Sequence, residues 1–424
     1  MKQQTLAIHA GYEKDGQRTM SVPIYMSTAF DFGSAECAAS SFNLEQGTDN
    51  VYTRVGNPTS AVFEKRMAAM EGGAAGLALA SGMSAIFYSI LNVAEAGDNI
   101  VCASQLYGGT LTLFTHTLKR LGIEARMFNV HHHEEMKALI DEKTKCIFFE
   151  SLTNPSIDVP DFAAIINEAN AHGIITIVDN TVATPVLCQP LLLGADVVVH
   201  STSKYTTGQG LAIGGMVVER VNLVEKIAGN ERYPHFNVPE VSYHGLVFSD
   251  SVSSGMLFTF RMRMVLMRDT GAVISPFNAW LFIQGLETLP LRMKQHSESA
   301  LAIAKYLEAH PKVKRVNYPG LESNPNYLMG QKYFNGGHSG LLSFEVEERQ
   351  TAQKIADATE IFSIVANIGD SKSIITHPAS TTHQQLSEQE LIDAGVPGGL
   401  IRLSVGLEDT HDLIVDLKKA LGAV

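Results

Sequence analysis

Three short runs hold residue types suited to chemistry. Val197 to Tyr205 reads Val-Val-Val-His-Ser-Thr-Ser-Lys-Tyr, an apolar strand whose end delivers Lys204 in a Ser/Thr cluster. A lysine at a strand end in a low-dielectric pocket has its charged form disfavoured. The neutral amine that results is the form that makes Schiff bases. The hydroxyls of Ser201 and Ser203 stand beside it as candidate anion ligands. By itself the run also describes a surface lysine in a polar turn, since lysines are mostly exposed.

In the second run, Ile175 to Thr181, a carboxylate, Asp179, closes another buried strand 25 residues before Lys204. Ligand crevices of open α/β sheets lie at the carboxyl ends of the strands, so Asp179 and Lys204 fall on one side of the molecule. A lysine that binds an aldehyde, with an acid that keeps a pyridine nitrogen protonated, is the pairing pyridoxal phosphate uses. Alone, Asp179 is as readily a helix or turn cap. The third run, Leu79 to Ser84, turns from a strand through Ser81-Gly82 into a helix. Small residues at a helix N-terminus expose backbone N–H groups to a phosphate. Dinucleotide motifs fail: Gly208 to Gly214 spaces its last glycine one residue too far, follows no strand directly and opens no helix.

These residues act together only on a scaffold that gathers strand ends at one edge. From about residue 75 short apolar runs alternate with longer amphipathic ones. Residues 76–80, 99–103, 124–129, 145–149, 174–178 and 197–200 read as strands rich in Val, Ile and Phe. Several are apolar on both faces, as in parallel sheets covered by helices. Residues 84–94, 110–121, 134–141 and 162–172 have helical length and pattern. The alternation predicts an α/β fold with a mostly parallel sheet and right-handed crossovers. Residues 1–60, rich in Gly, Ser, Thr, Asn and Pro, read as an arm with little core of its own that packs on another surface. Residues 61–285 follow as the large domain. Residues 286–424 read as a smaller α+β domain, with a long helix over 284–309, strands near 313–316, 340–346 and 401–405, and a helix over 350–359.

Composition sets further bounds. The chain has 424 residues, 44 acidic against 32 basic, for a formal charge of −12. The length predicts two to three domains and a core that needs no staples. The acidic balance, with no long Lys/Arg run, argues against a nucleic-acid partner. A charged fraction of only 18% with 35 glycines points to a large buried surface shared with another copy of the chain. The longest charge-free stretch, 72–94, has the length of a membrane span. Its central Gly-Ser break suits a buried strand turning into a helix, so no membrane partner is expected. The N-terminus lacks the apolar segment of a secretory signal. Cys37, Cys102, Cys146 and Cys188 form no CxxC pair and read as reduced thiols of a cytoplasmic protein. His131-His132-His133-Glu134-Glu135 cannot all face one ion, so the run reads as a solvated loop and no metal is expected.

The motifs are more specific in their order than singly. Ser81-Gly82-Met83, Leu106-Tyr107-Gly108-Gly109-Thr110, Glu150-Ser151-Leu152-Thr153-Asn154-Pro155, Val178-Asp179-Asn180-Thr181, His200 to Tyr205, Ser373 to Ser380 and Ile401 to Glu408 follow one another along the chain. In this, nearly the whole sequence resembles the Cys/Met-metabolism group of pyridoxal-phosphate enzymes, which includes cystathionine γ-synthase, cystathionine lyases, methionine γ-lyase and O-acetylhomoserine sulfhydrylase. The resemblance implies an aspartate-aminotransferase-like (fold type I) architecture and pyridoxal 5'-phosphate as cofactor. It implies that Lys204 holds the cofactor as a Schiff base and then shuttles protons, and that Asp179 pairs with the pyridinium nitrogen. Tyr107 would stack on the ring and act as acid or base near the leaving group. Ser81, Gly82, Met83, Ser201 and Ser203 would bind the phosphate. Tyr52 and Arg54 match a motif that reaches the phosphate of a neighbouring subunit, with Tyr52 also near substrate. That implies a homo-oligomer, a tetramer built from dimers sharing active sites. Arg402 would take the substrate carboxylate as a bidentate pair, assisted by Asn154 and Ser373.

Two features lean toward the sulfhydrylase branch. The segment after Lys204 is extended and carries Arg232-Tyr233-Pro234-His235-Phe236 and Ser242-Tyr243-His244-Gly245-Leu246, and an insertion with a similar Tyr-His-Gly resembles sulfhydrylases. As a bare sequence it is equally a surface loop. Gly109 follows Tyr107-Gly108 where methionine γ-lyases typically carry a cysteine. The expected reaction is γ-replacement on O-acetylhomoserine by sulfide or a thiol, giving homocysteine or methionine plus acetate. Methionine γ-lyase or cystathionine γ-synthase/lyase activity at the same site is the alternative. A non-catalytic α/β binding protein with the same Gly-rich turns is a third reading.

Overall fold

The structure, a computed structural model, describes residues 1–43, 50–252, 255–381, 384, 391 and 395–424. Seven strands form the first sheet: β1 (Ala75–Leu79), β2 (Asn99–Ala103), β3 (Glu124–Phe128), β4 (Thr144–Glu150), β5 (Ile175–Asp179), β6 (Val197–Ser201) and β7 (Gly215–Glu219). Their spatial order is β1-β7-β6-β5-β4-β2-β3. Neighbours are parallel except at β7, which runs antiparallel to both β1 and β6. Every residue of β2, β4 and β7 is buried, because both faces of the sheet are covered. The fold is the expected α/β class with a mostly parallel sheet and a smaller second sheet.

Six of these strands match the alternation of apolar runs in the sequence. β7 does not announce itself there, since its three central apolar residues follow a glycine-rich loop and lack a flanking helix pattern. It matters to the site all the same. Gly215 lies opposite both Leu79 and Ser201, so β7 locks the carboxyl ends of β1 and β6 side by side. A Cβ at Gly215 would collide with the carbonyl oxygen of Ser81. Only glycine admits that approach.

The second sheet holds β8 (Arg315–Asn317), β9 (Leu341–Glu345), β10 (Ser363–Ile364), β11 (Ile374–Thr376) and β12 (Leu400–Ser404), in the order β10-β11-β12-β9-β8. The helix Pro276–Glu308 ties the two sheets together. Phe282, Ile283, Leu286 and Met293 belong to the core of the first sheet, and Ala300, Ile303 and Leu307 to that of the second. It starts eight residues earlier than its apolar periodicity suggests. The Ser275 hydroxyl accepts the Phe277 N–H at 3.3 Å, and Pro276 occupies the first turn, where its missing N–H is harmless.

Within residues 1–60, Gln3–His9 is helical and packs on the helices Pro58–Glu71 and Pro276–Glu308. Beyond it Met20, Tyr25, Met26 and Phe42 present exposed apolar side chains. The extended segment after Lys204 is not a plain surface loop in its first half. Tyr233 and Phe236 are fully buried. The Tyr233 hydroxyl accepts the Ile175 N–H at 2.7 Å and donates to the Lys145 carbonyl at 2.9 Å. Arg232 donates to the carbonyls of Asp141, Glu142 and Thr144. This segment therefore braces the starts of β4 and β5, at the opposite end of those strands from Glu150 and Asp179. Among the described residues no helix is long and apolar enough to cross a membrane.

Gly215→Ala is expected to destabilise the protein by roughly 3 kcal/mol, the upper range for forced overpacking. The loss is to be read from urea unfolding. A change within experimental error would show that β7 and the Ser81 turn can move apart freely.

Candidate active site

The parallel register brings Glu150 opposite Asp179 at the ends of β4 and β5, and β6 ends beside them at Ser201. Between this edge and the second sheet lies a cavity of about 690 Å³. Residues from both sheets line it, including Ser81, Tyr107, Asp179, Lys204, Asn367 and Arg402.

One wall is a small-residue cup. The helix Gly82–Leu91 begins at the cavity, and the Ser81 hydroxyl caps it by accepting the Ser84 N–H at 3.1 Å. The cap leaves the first amide groups of the helix without intrahelical partners. Gly82 is required here, because a Cβ would stand 2.6 Å from the Ser201 Cβ. Ser203 is held by its own loop, its hydroxyl accepting the Gly214 N–H at 3.0 Å. This cradle of amide groups and hydroxyls fits a phosphate.

Lys204 sits three residues past the end of β6, and its Nζ donates to Asn367 Oδ1 at 2.6 Å. Burial, and then the nearby Arg402 charge, bring its pKa down to about 8. Asp179, which lines the same cavity, accepts the Thr181 N–H at 3.0 Å. Burial raises its pKa, and the Thr181 bonds oppose that rise. A protonated ring nitrogen beside it would hold that carboxylate ionised. Glu150 is pushed well above the usual carboxylate range, by burial first and then by the Asp179 charge. Its two oxygens accept the N–H groups of Tyr107 at 2.6 Å and Asn154 at 3.0 Å. It thereby ties the loop after β2 to the loop after β4.

Tyr107 stands at the cavity mouth with its ring half exposed. A Cβ at Gly109 would lie 2.6 Å from Tyr107 Cε1, so a side chain at that position would displace the ring. Arg402 enters from β12 and is only 4% exposed. It donates to Asn154 Oδ1 at 3.0 Å, to the Asn367 carbonyl at 3.0 Å and to Thr376 Oγ1 at 3.2 Å. These acceptors are neutral, and its buried Nε has no partner. Burial pulls its pKa to about 10. A carboxylate ligand would supply both the missing acceptor and the missing charge.

Thus Ser81, Gly82, Met83, Tyr107, Asn154, Asp179, Ser201, Ser203, Lys204 and Arg402 all line one cavity. One expected member does not. Ser373 is fully buried in another network, donating to Glu408 Oε2 at 2.8 Å and accepting the Gly406 N–H at 2.8 Å. None of its hydrogen bonds goes to Arg402, which Asn154, Asn367 and Thr376 hold instead. Tyr52 and Arg54 lie outside their own chain's cavity, with the Arg54 guanidinium 4.9 Å from the Tyr52 ring centre. Asn367 and Glu150 were not singled out from sequence. Glu150 carried a signal, as an acid closing an apolar strand in register with Asp179. Asn367 carried none, because it lies in an irregular loop far along the chain. The histidine run is divided: His131 stands 3.3 Å from Asp158, and His132 stands 3.5 Å from Glu134.

Comparison with known proteins adds an independent line. Residues 4–422 match the sequence model of the Cys/Met metabolism PLP-dependent enzymes. The chain is 44% identical to the O-acetyl-L-homoserine sulfhydrylase of Leptospira meyeri, over 99% of this chain and 96% of that protein. It is 43% identical to the homocysteine synthase of Schizosaccharomyces pombe, over 99% and 97%. A crystal structure of a Campylobacter jejuni protein described as an O-acetylhomoserine (thiol)-lyase superposes with a TM-score of 0.97 at 49% identity, covering all of both chains. That protein carries a pyridoxyl-lysine monophosphate.

The depressed basicity of Lys204 has a direct readout. In protein freed of cofactor, acylation of Lys204 followed by peptide mapping is expected to rise with pH around a midpoint near 8. An exposed lysine would instead turn on near 10.4. A midpoint at that higher value would mean the amine is solvated.

Proposed function

The chain belongs to the Cys/Met-metabolism family of pyridoxal-phosphate-dependent enzymes, and from that premise we propose that it catalyses γ-replacement on O-acetyl-L-homoserine. Sulfide or a thiol takes the place of acetate at Cγ: the C–O bond breaks, a C–S bond forms, and homocysteine or methionine results. The observation that carries this reading is one cavity holding an amine of lowered basicity, Lys204, beside a buried guanidinium with an unused N–H, Arg402.

We assign the cofactor's aldehyde to Lys204, its ring nitrogen to Asp179, its ring face to Tyr107, and its phosphate to the Gly82 and Met83 amides with the Ser201 and Ser203 hydroxyls. When bound, pyridoxal phosphate supplies an electrophilic carbonyl for the amino group and a protonated ring that draws the electrons left at Cα. Arg402, steadied by Asn154, binds the substrate α-carboxylate and so sets the amino acid's orientation. Lys204 Nζ, partly neutral near pH 8, takes the Cα proton and later returns one. Tyr107 stands at the cavity mouth, where its hydroxyl meets the departing acetate. Gly109 leaves room for that ring, which a side chain such as cysteine would not.

Tyr52 and Arg54 we assign to the site of a second copy of the chain. They lie outside their own cavity, on a segment that exposes Met20, Tyr25, Met26 and Phe42. Exposed apolar side chains on a segment with little core of its own support contact with a second copy. A dimer with the same patch on both subunits exchanges these residues reciprocally, and two such dimers make the tetramer.

Purified enzyme supplied with O-acetylhomoserine and sulfide is expected to release homocysteine and acetate in equal amounts. No homocysteine, with 2-oxobutyrate formed from methionine instead, would transfer the assignment to the lyase branch. Site sharing has its own test. Lys204→Ala and Arg54→Ala proteins, each inactive, are unfolded together and refolded as a mixture. About a quarter of parent activity is expected, since half the dimers are mixed and each holds one intact site. A mixture as inactive as its components would place each site within one chain.

A further inference from the structure

The face of the second sheet that carries Arg402 does not end there. Arg402 of β12 lies opposite Ser343 of β9, and Ser343 lies opposite Asn317 of β8. Glu345 and Arg315 form the next opposed pair of β9 and β8 on that side. Side chains two apart on a strand share a face, so all four continue the face of Arg402. They line a second cavity of about 240 Å³, with His131 and Asp158 from the segments after β3 and β4. It shares no lining residue with the candidate active site.

Three of these groups lack a proper partner. The Ser343 hydroxyl is fully buried and has no hydrogen bond, which costs the desolvation of a polar group. The Arg315 guanidinium makes no hydrogen bond or ion pair among the described residues. It stands opposite Glu345, yet Glu345 is met instead by Lys314, at 3.4 Å. That contact is half exposed and contributes little. Asp158, by contrast, is engaged by His131 at 3.3 Å and by Asn326 Nδ2 at 3.1 Å. We propose that this cavity binds a small α-amino acid as its zwitterion, with the carboxylate on Arg315 and Ser343 Oγ and the ammonium on Glu345. Charge selects the class. An anion alone would meet Glu345 and Asp158 as well as Arg315, and a cation alone would meet Arg315. A zwitterion supplies an acceptor to the two donors and a donor to the free carboxylate at once. The Arg315 charge also reaches His131, whose proton affinity Asp158 raises while burial and Arg315 oppose the rise. A carboxylate on Arg315 removes part of that opposition. The cavity is smaller than those that take drug-sized ligands, so the guest is small.

The test is equilibrium dialysis of radiolabelled L-alanine against full-length holoenzyme. Borohydride first fixes the cofactor to its lysine, so the active site forms no Schiff base with the probe. Saturable binding is expected, at unchanged affinity in Arg402→Ala. Arg315→Ala and Glu345→Gln are each expected to weaken it about tenfold or more, as for loss of a charged hydrogen bond. Arg315→Lys, which keeps the charge, is expected to fall between the parent and Arg315→Ala. Propionate and ethylamine each carry one of the two charges and are expected to bind at least about tenfold less tightly than L-alanine. The urea midpoint and the cofactor absorption band are expected to stay at parent values, since Arg315 is exposed and Glu345 partly so. No saturable binding in the parent would overturn the inference. So would binding lost in Arg402→Ala and kept in Arg315→Ala, which would move the probe to the active site. Propionate bound as tightly as L-alanine would overturn the zwitterion assignment.

Discussion

A buried guanidinium with too few acceptors is the constraint around which the cavity is arranged. Arg402 is held by an amide oxygen, a backbone carbonyl and a hydroxyl, with one N–H left over. A charge so placed is tolerated only because neutral dipoles surround it, and it favours any anion that reaches it. Its influence extends to Lys204, whose basicity it depresses. Arg402 and Lys204 are therefore electrostatically one unit. A carboxylate bound at the first alters the proton affinity of the second.

The opposite wall carries the complementary imbalance. Glu150 and Asp179 lie in register on adjacent strands, both displaced toward the neutral form by burial. A buried guanidinium, an amine of lowered basicity and two acids gathered in one cavity suit a zwitterionic, ring-bearing guest. Lys204, Glu150 and Asp179 come from the first sheet and Arg402 from the second, and the two cores share the helix Pro276–Glu308, so their spacing is a property of the whole molecule.

Backbone proximity is the second requirement. Gly82 touches Ser201, Gly215 touches Ser81, and Gly109 touches the Tyr107 ring. Each is a place where a Cβ would push a functional group aside. The glycine-rich, weakly charged composition thus reflects strand ends and turns drawn close together around the cavity. The apolar side chains left exposed along the N-terminal segment reflect a surface not yet covered by the chain itself.

Legibility in the sequence followed the range of the forces involved. Strands β2, β4, β5 and β6 were readable because burial on both faces demands runs of Val, Ile and Phe. Lys204 and Asp179 were readable because each closes such a run. β7 was missed, as its run has only three central apolar residues and it pairs with β1, well over a hundred residues away, as well as with β6. Ser373 was misplaced and Asn367 overlooked for the same reason. They lie six residues apart in one loop, and nothing local says that Ser373 turns to Glu408 while Asn367 turns to Lys204. What the sequence determined by itself is the class of fold, the cofactor chemistry and the residues at strand ends, since periodicity and motif order are local properties of the chain. What only the tertiary structure decided is which polar groups share a hydrogen bond across the two sheets. Those partners are over a hundred residues apart, and the packing of one core against the other selects them.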